Sequence, residues 1–429
     1  MKTKAQRFIQ LRLIIFNFLE FAVWGAYLTS MGRYLANVGM GQNIGWFYSI
    51  QGIVSLLMPA LMGIVADRWI EAQRLHSLCH LIAGAFMVAA GMYAYGAGDQ
   101  VAFMPLFTLY TCSVAFFMPT IALTNSVAFN ALVKNGLDTV TDFPPVRVFG
   151  TIGFIVSMWC VDILKFQDTP WQFVVSGGLS LLLTIYALTL PHCEIRKDQP
   201  RDSSIVDMLG LKAFALFKEK KMALFFVFSM LLGVSLQITN GYANPYLASF
   251  RVFPEYANSF GVVHSNMLIS ISQICEALCI LFIPFFLKKF GIKNVMFMAM
   301  VAWVLRFAFF GMGNPGTLVW LFVLSCIVYG FAFDFFNISG ALYVDQETKP
   351  EMRSSAQGLF MMMTNGLGAT IGTLSAQVIV NKFVYNLPAT ATPIELYSGW
   401  QTSWYIFAGY ALVVAVLFWM FFPKTPIKQ

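Results

Sequence analysis

The chemistry in this sequence is carried by polar side chains set inside long apolar stretches. In Tyr329-Gly-Phe-Ala-Phe333-Asp334-Phe-Phe-Asn337, Tyr329 and Phe333 are four residues apart and Asp334 and Asn337 three apart, which puts the set on one broad face of a helix. Gln273 and Glu276 are again three apart, as are Gln237 and Asn240 with Thr239 between them. Arg147, Thr151 and Phe154 follow Pro144-Pro145 at spacings of four and three. The prolines are expected at the start of that helix, where a missing N–H leaves no extra group unsatisfied.

These residue types suit a ligand with several hydroxyls and a flat ring. Gln and Asn amides donate and accept hydrogen bonds, and a carboxylate accepts from two hydroxyls. Phe and Tyr stack on a planar base. A carboxylate placed where water is scarce can also take up and release a proton, and Asp334 and Glu276 are the candidates. Arg147 keeps its charge, and its natural partner is Asp334 or Glu276. Plainer roles fit some of the same residues. Gln237 and Asn240 also read as hydrogen-bonding glue between helices, Asp334 with Arg147 as a structural ion pair, and Arg306 as a packing or snorkelling residue. Glu20, beside Trp24, is either a second proton site or a residue facing a polar crevice.

The elements that must position these residues are membrane helices. No Asp, Glu, Lys or Arg occurs between Asp99 and Lys134, Lys221 and Arg251, Arg353 and Lys382, or Glu395 and Lys424. Each interval exceeds the ~20 residues a helix needs to cross a bilayer, and lipid offers no partner to a free backbone N–H or C=O. The chain is 58% hydrophobic and only 11% charged. Twelve segments are expected, centred near residues 22, 55, 87, 112, 156, 181, 235, 275, 303, 330, 367 and 413. With both ends in the cytoplasm, 21 of the 27 Lys and Arg fall on that side and four (Arg33, Lys165, Arg251, Lys382) outside. That distribution, rather than a basic patch, accounts for the net charge of +7 and argues against nucleic acid as a partner. The basic N-terminus leads straight from one apolar segment into the next, so no cleavable signal is expected.

The expected organisation is a six-helix bundle at 1–191, a cytoplasmic linker at 192–221 and a second six-helix bundle at 222–429. In the linker, the apolar patch Leu209 to Phe217 suits a short helix on the membrane surface. Six segments either side of a charged linker read as two parallel repeats. Gly368 and Gly372 suit a close contact between helices. The seven cysteines read as free buried thiols and form no zinc-type spacing. The four histidines, His76, His80, His192 and His264, read as scattered, with no ligand cluster. No phosphate loop, Ser-His-Asp set or metal triad appears, so the chain is not read as an enzyme; no catalytic residue, metal, cofactor or obligatory protein partner is expected.

Several longer runs are more specific. They include Met58-Pro-Ala-Leu-Met-Gly-Ile-Val-Ala-Asp67, Thr141-Asp-Phe-Pro-Pro145 continuing to Gly150-Thr-Ile-Gly-Phe154, and Leu236-Gln-Ile-Thr-Asn240. Others are Ile269-Ser-Ile-Ser-Gln273, Phe333-Asp-Phe-Phe-Asn-Ile-Ser-Gly340 and Met362-Met-Thr-Asn-Gly366. In these runs, over nearly its whole length, the chain resembles the nucleoside:proton symporter family of the major facilitator superfamily. The superfamily's generic loop motif is present only as Gly63-Ile-Val-Ala-Asp67-Arg68, without its usual continuation.

The resemblance implies an all-α polytopic fold of 12 transmembrane helices, two six-helix bundles around a central cavity, working by alternating access. It implies import of nucleosides with protons across a bacterial cytoplasmic (inner) membrane. Its substrate-binding positions fall on Arg147, Thr151, Phe154, Gln237, Asn240, Gln273, Glu276, Tyr329, Phe333 and Asn337, with Asp334 and Glu276 in proton coupling. Glu20 departs from the pattern, which has an uncharged polar residue there. A proton-coupled carrier of another polar small molecule, such as a sugar, is the alternative. A receptor would call for a signalling domain, and none is read in the sequence.

Overall fold

The long apolar stretches fold as helices, and among the described residues of this computed structural model (2–193, 211–349 and 352–423) all regular structure is helical. The helices relevant here are α1 (Lys4–Gly25), α2 (Met31–Asn37), α3 (Ile44–Arg68), α4 (Ala72–Ala97), α5 (Phe103–Lys134), α6 (Thr139–Ile163) and α7 (Trp171–Leu188). They continue with α8 (Lys220–Leu236), α9 (Ile238–Ser249), α10 (Ser265–Cys279), α11 (Ile283–Met312), α12 (Val319–Glu347), α13 (Arg353–Met361), α14 (Ala369–Val380) and α15 (Pro393–Phe421).

Eleven stretches of the described residues are long and apolar enough to cross a membrane. One of them, Ser265–Met312, runs for 48 residues, more than twice what one crossing needs. It is broken at Gly291, whose φ of 75° and ψ of 165° lie outside the helical region and suit glycine. It therefore accounts for two expected segments, and the twelve are recovered. Large apolar side chains of these spans stay uncovered by protein, Leu281 at 73% and Ile394 at 72% exposure, as a lipid-facing surface requires.

The chain divides into two compact units, 1–34 with 53–209 and 35–52 with 210–429. In the first, α4 packs on α5 and α7, and α1 packs on α6. The α1–α6 contact is close because it is lined by glycine: a Cβ on Gly153 would meet the Phe18 backbone, and one on Gly25 the Phe154 backbone. In the second unit, α12 packs on α10 and α11, and α11 on α15. The glycine pair expected at Gly368 and Gly372 makes the close approach predicted for it. Gly368 lies against Met230 and Gly233, and Gly372 against the Val234 backbone. The segment Met362–Gly368 that carries the first of the pair is a π-helix, a form that concentrates at functional sites.

Two local expectations are corrected. Pro144 and Pro145 lie inside α6, which starts at Thr139, rather than at its first residue. All seven cysteines are free, but only Cys79, Cys193, Cys279 and Cys326 are buried; Cys112 and Cys275 are half-buried and Cys160 is exposed. The linker residues 194–210 lie outside the described residues, whereas Leu211–Lys218 of the apolar patch forms a short 3-10 helix.

Candidate ligand and proton site

In the first unit, Arg147, Thr151 and Phe154 lie along α6 where it meets α1. The Arg147 guanidinium carbon stands 4.1 Å from the centre of the Phe21 ring, a distance at which the ring face attracts the cation. Phe154 is buried and meets Trp24 edge-on, ring centres 6.2 Å apart at 88°. The Trp24 indole N–H is buried and has no protein acceptor. Thr151 is half-buried beside them.

In the second unit, Gln237 sits at the junction of α8 and α9, with φ −94° and ψ −8°. The Asn240 amide donates to Gln237 Oε1 at 2.9 Å, so the two side chains form one amide cluster at a helix break. On α10, Gln273 is 9% exposed and its Oε1 has no protein donor; Glu276 lies one turn further, half-buried. On α12, Tyr329 and Phe333 stack with ring centres 5.6 Å apart and planes at 17°. Asp334 is 5% exposed. Asn337 is half-buried, and its Oδ1 is buried without a protein donor. Gly330 brings α12 against the Cys275 backbone of α10, which sets the carboxylates of Glu276 and Asp334 on neighbouring helices. The structure thus groups Arg147, Thr151 and Phe154 in one unit and Gln237, Asn240, Gln273, Glu276, Tyr329, Phe333, Asp334 and Asn337 in the other.

One expectation is narrowed and one is overturned. Arg306 does not snorkel but is a buried packing residue: at 2% exposure it donates to Ser272 Oγ (3.2 Å), the Ser325 carbonyl (2.9 Å) and Thr239 Oγ1 (3.1 Å). Its guanidinium carbon lies 4.3 Å from the centre of the Tyr329 ring. It therefore ties together α9, α10 and α12 directly behind Tyr329. A signal existed: a central Arg costs about 2.5–3.5 kcal/mol in a membrane helix and must find partners.

The histidines are not scattered. His76 and His80 converge on Glu20, with Nε2 of each 2.9 and 2.8 Å from Glu20 Oε2, and all three side chains are fully buried. The four-residue spacing of the two histidines on α4 was legible; their partner on α1 was not. An apolar groove of about 550 Å³ also opens on the second unit, lined by Phe286, Phe290, Phe297, Phe331 and Trp419, but it contains none of these candidate residues.

Helices of membrane-spanning length carrying buried amides, carboxylates and stacked aromatics define the class: a multi-pass membrane carrier for a polar solute. The comparisons with known proteins are specific. The model of the "Nucleoside H+ symporter" family matches residues 8–426, so the chain belongs to that family and is a proton-coupled nucleoside symporter with the major facilitator fold, not an enzyme. It is 47% identical to the xanthosine permease of Escherichia coli (strain K12) over 96% of both chains. It is 45% identical to the nucleoside permease NupG of the same organism over 98% of this chain and 97% of the relative. A crystal structure of NupG, 44% identical, covers 97% of this chain and 100% of its own, with a TM-score of 0.86.

Proposed function

We propose that the protein imports nucleosides by alternating access, with Asp334 as the carboxylate that couples proton to substrate and Arg147 setting its charge balance. Glu276 serves as a second proton-linked group. Gln273, Gln237, Asn240 and Asn337 bind the ribose hydroxyls and the polar edges of the base, and Phe154, Tyr329 and Phe333 stack on its faces, with Thr151 beside them. The observation that carries this reading is the α12 face, where a stacked aromatic pair adjoins a buried carboxylate and a buried amide oxygen that no protein donor satisfies. Such a face matches a flat base joined to a hydroxylated sugar.

The energetics close. One proton falling through ~100 mV releases about 2.3 kcal/mol, enough for roughly a forty-fold gradient of a neutral solute. The basic loops support a bacterial cytoplasmic membrane with both termini inside, and the division into bundles 1–191 and 222–429 joined by 192–221 is retained as part of this reading. The test is Asp334→Asn in proteoliposomes. Uphill accumulation should be lost while exchange of labelled for unlabelled nucleoside persists; continued uphill accumulation removes Asp334 from the coupling role.

A further inference from the structure

The convergence of His76 and His80 on Glu20 is not explained by substrate binding. Glu20 belongs to α1, both histidines to α4, and the cluster is closed by α5 and α7. Glu20 Oε2 receives both imidazoles through Nε2, Thr120 donates to Oε1 at 2.7 Å, and Thr124 Oγ1 lies 3.0 Å from His76 Nε2. His80 Nδ1 lies 2.8 Å from Ser180 Oγ.

The hydrogens can be counted. For Glu20 Oε2 to accept twice, each Nε2 carries a hydrogen. His76 Nδ1 is buried and has no protein partner, so a hydrogen there would be a buried donor with nothing to bond; His76 is therefore the neutral Nε2–H tautomer. His80 is different. Ser180 has one hydroxyl hydrogen and two acceptors within reach, His80 Nδ1 and the His80 carbonyl at 3.0 Å. With that hydrogen on the carbonyl, Nδ1 must donate to Ser180 and the ring is an imidazolium. With it turned to Nδ1, the ring is neutral. Rotation of one hydroxyl accommodates either state without moving a heavy atom.

Charge then decides what the cluster holds. One carboxylate with one imidazolium is neutral, and a buried site favours that balance. The same side-chain types bind transition metals, but a divalent ion would leave this dry site with a net positive charge. His76 also lacks the outer acceptor that a metal-bound imidazole almost always has. Among the described residues, the groups packed around the cluster are mostly uncharged. α5 and α7 offer the hydroxyls of Thr120, Thr124 and Ser180; Cys79 lies on α4 within electrostatic reach of Glu20; and Arg147 on α6 stacks on Phe21, the residue after Glu20. Ser180 also borders a void of about 10 Å³ lined by Ser113, Ser176 and Tyr27. That is roughly the least space that holds one water, and Val23, Ala83, Met87 and Phe117 line the rest of it.

We propose that Glu20, His76 and His80 form a second proton-binding centre inside the first unit, holding one proton shared between Glu20 and His80 and setting the pH range in which the carrier works. Its role in transport rests on the symport reading above; its proton chemistry does not, and the first experiment separates them. Wild-type protein carrying ¹⁵N-labelled histidine is followed by NMR from pH 5 to 9, with signals assigned through His76→Gln and His80→Gln. The expected spectrum shows His76 as a neutral Nε2–H ring and His80 in the two states that Ser180 accommodates, Nδ1 donating to the hydroxyl or accepting from it. Both imidazoles holding one unchanged state throughout would overturn the proposal, as would one equivalent of tightly bound zinc in the purified protein. In proteoliposomes, Glu20→Gln should keep nucleoside exchange but move the pH midpoint of uphill uptake; an unmoved midpoint in a variant that exchanges normally would remove the centre from transport. If that variant does not fold, the wild-type spectrum alone decides the proton assignment.

Discussion

Replacing Gln273 by methionine should weaken nucleoside binding without weakening the protein. Gln273 is 9% exposed, and its Oε1 lies buried with no donor from the protein. An acceptor in that position costs about 1–3 kcal/mol while it stays unpaired. A substrate hydroxyl that bonds to it recovers a net 0.5–1.5 kcal/mol, about 2- to 12-fold in affinity. Methionine is of similar length and carries no oxygen, so Gln273→Met removes the penalty in the empty protein and the gain in the complex. The signs are opposite: the dissociation constant rises by about 2- to 12-fold, while the melting temperature of the substrate-free protein holds or rises. Titration calorimetry on the detergent-solubilised protein and thermal unfolding of the same sample read the two quantities. A lower melting temperature with unchanged affinity would refute the reasoning and make Gln273 a tie between helices.

Other consequences follow from particular contacts. Arg306→Lys keeps the charge but loses the planar fork that reaches Ser272, Ser325 and Thr239. Since a hydrogen bond from a charged group is worth about 1.5–3 kcal/mol, thermal stability should fall and, with Tyr329 no longer backed by a guanidinium, the KM for nucleoside uptake should rise. Gly372→Leu drives a side chain into the Val234 backbone and should abolish recovery of folded protein by size-exclusion chromatography, whereas Gly409→Ala, whose added Cβ meets nothing within 4 Å, should leave recovery unchanged. Glu71 lies between the spans α3 and α4, and the hydrogen bond from His192 at 3.1 Å holds its carboxyl below the usual carboxylate range, with Arg74 adding to the effect. Because the folded-state value is the lower one, this contact contributes stability above the ordinary carboxylate pKa and loses it as pH falls towards the lowered value. Melting curves should therefore show an acid-limb loss that Glu71→Gln lacks.

Much of the architecture was legible because lipid imposes a simple rule: uncharged stretches of more than about 20 residues must be helices. The faces proposed for binding could be drawn for a related reason. Gln273 with Glu276, or Tyr329 through Asn337, declare a common face by spacing alone. What stayed hidden depends on which helices touch. Glu20 and His76 are 56 residues apart, and nothing in either local run announces the other. The hydrogen bonds of Arg306 reach Thr239, Ser272 and Ser325, on three other elements, so its partners appear only once those elements are packed. The break at Gln237 and the π-helix at Met362–Gly368 are backbone departures inside sequences whose apolar pattern reads as ordinary helix.

The central claim is that this chain moves nucleosides uphill on a proton gradient. The measurement that tests it most directly is uptake of labelled uridine and adenosine into proteoliposomes with an imposed inward proton gradient, with and without a protonophore. Accumulation above the external concentration, abolished by the protonophore, is the expected result. Equal uptake under both conditions would mean facilitated diffusion, and accumulation of a sugar in place of either nucleoside would contradict the substrate assignment.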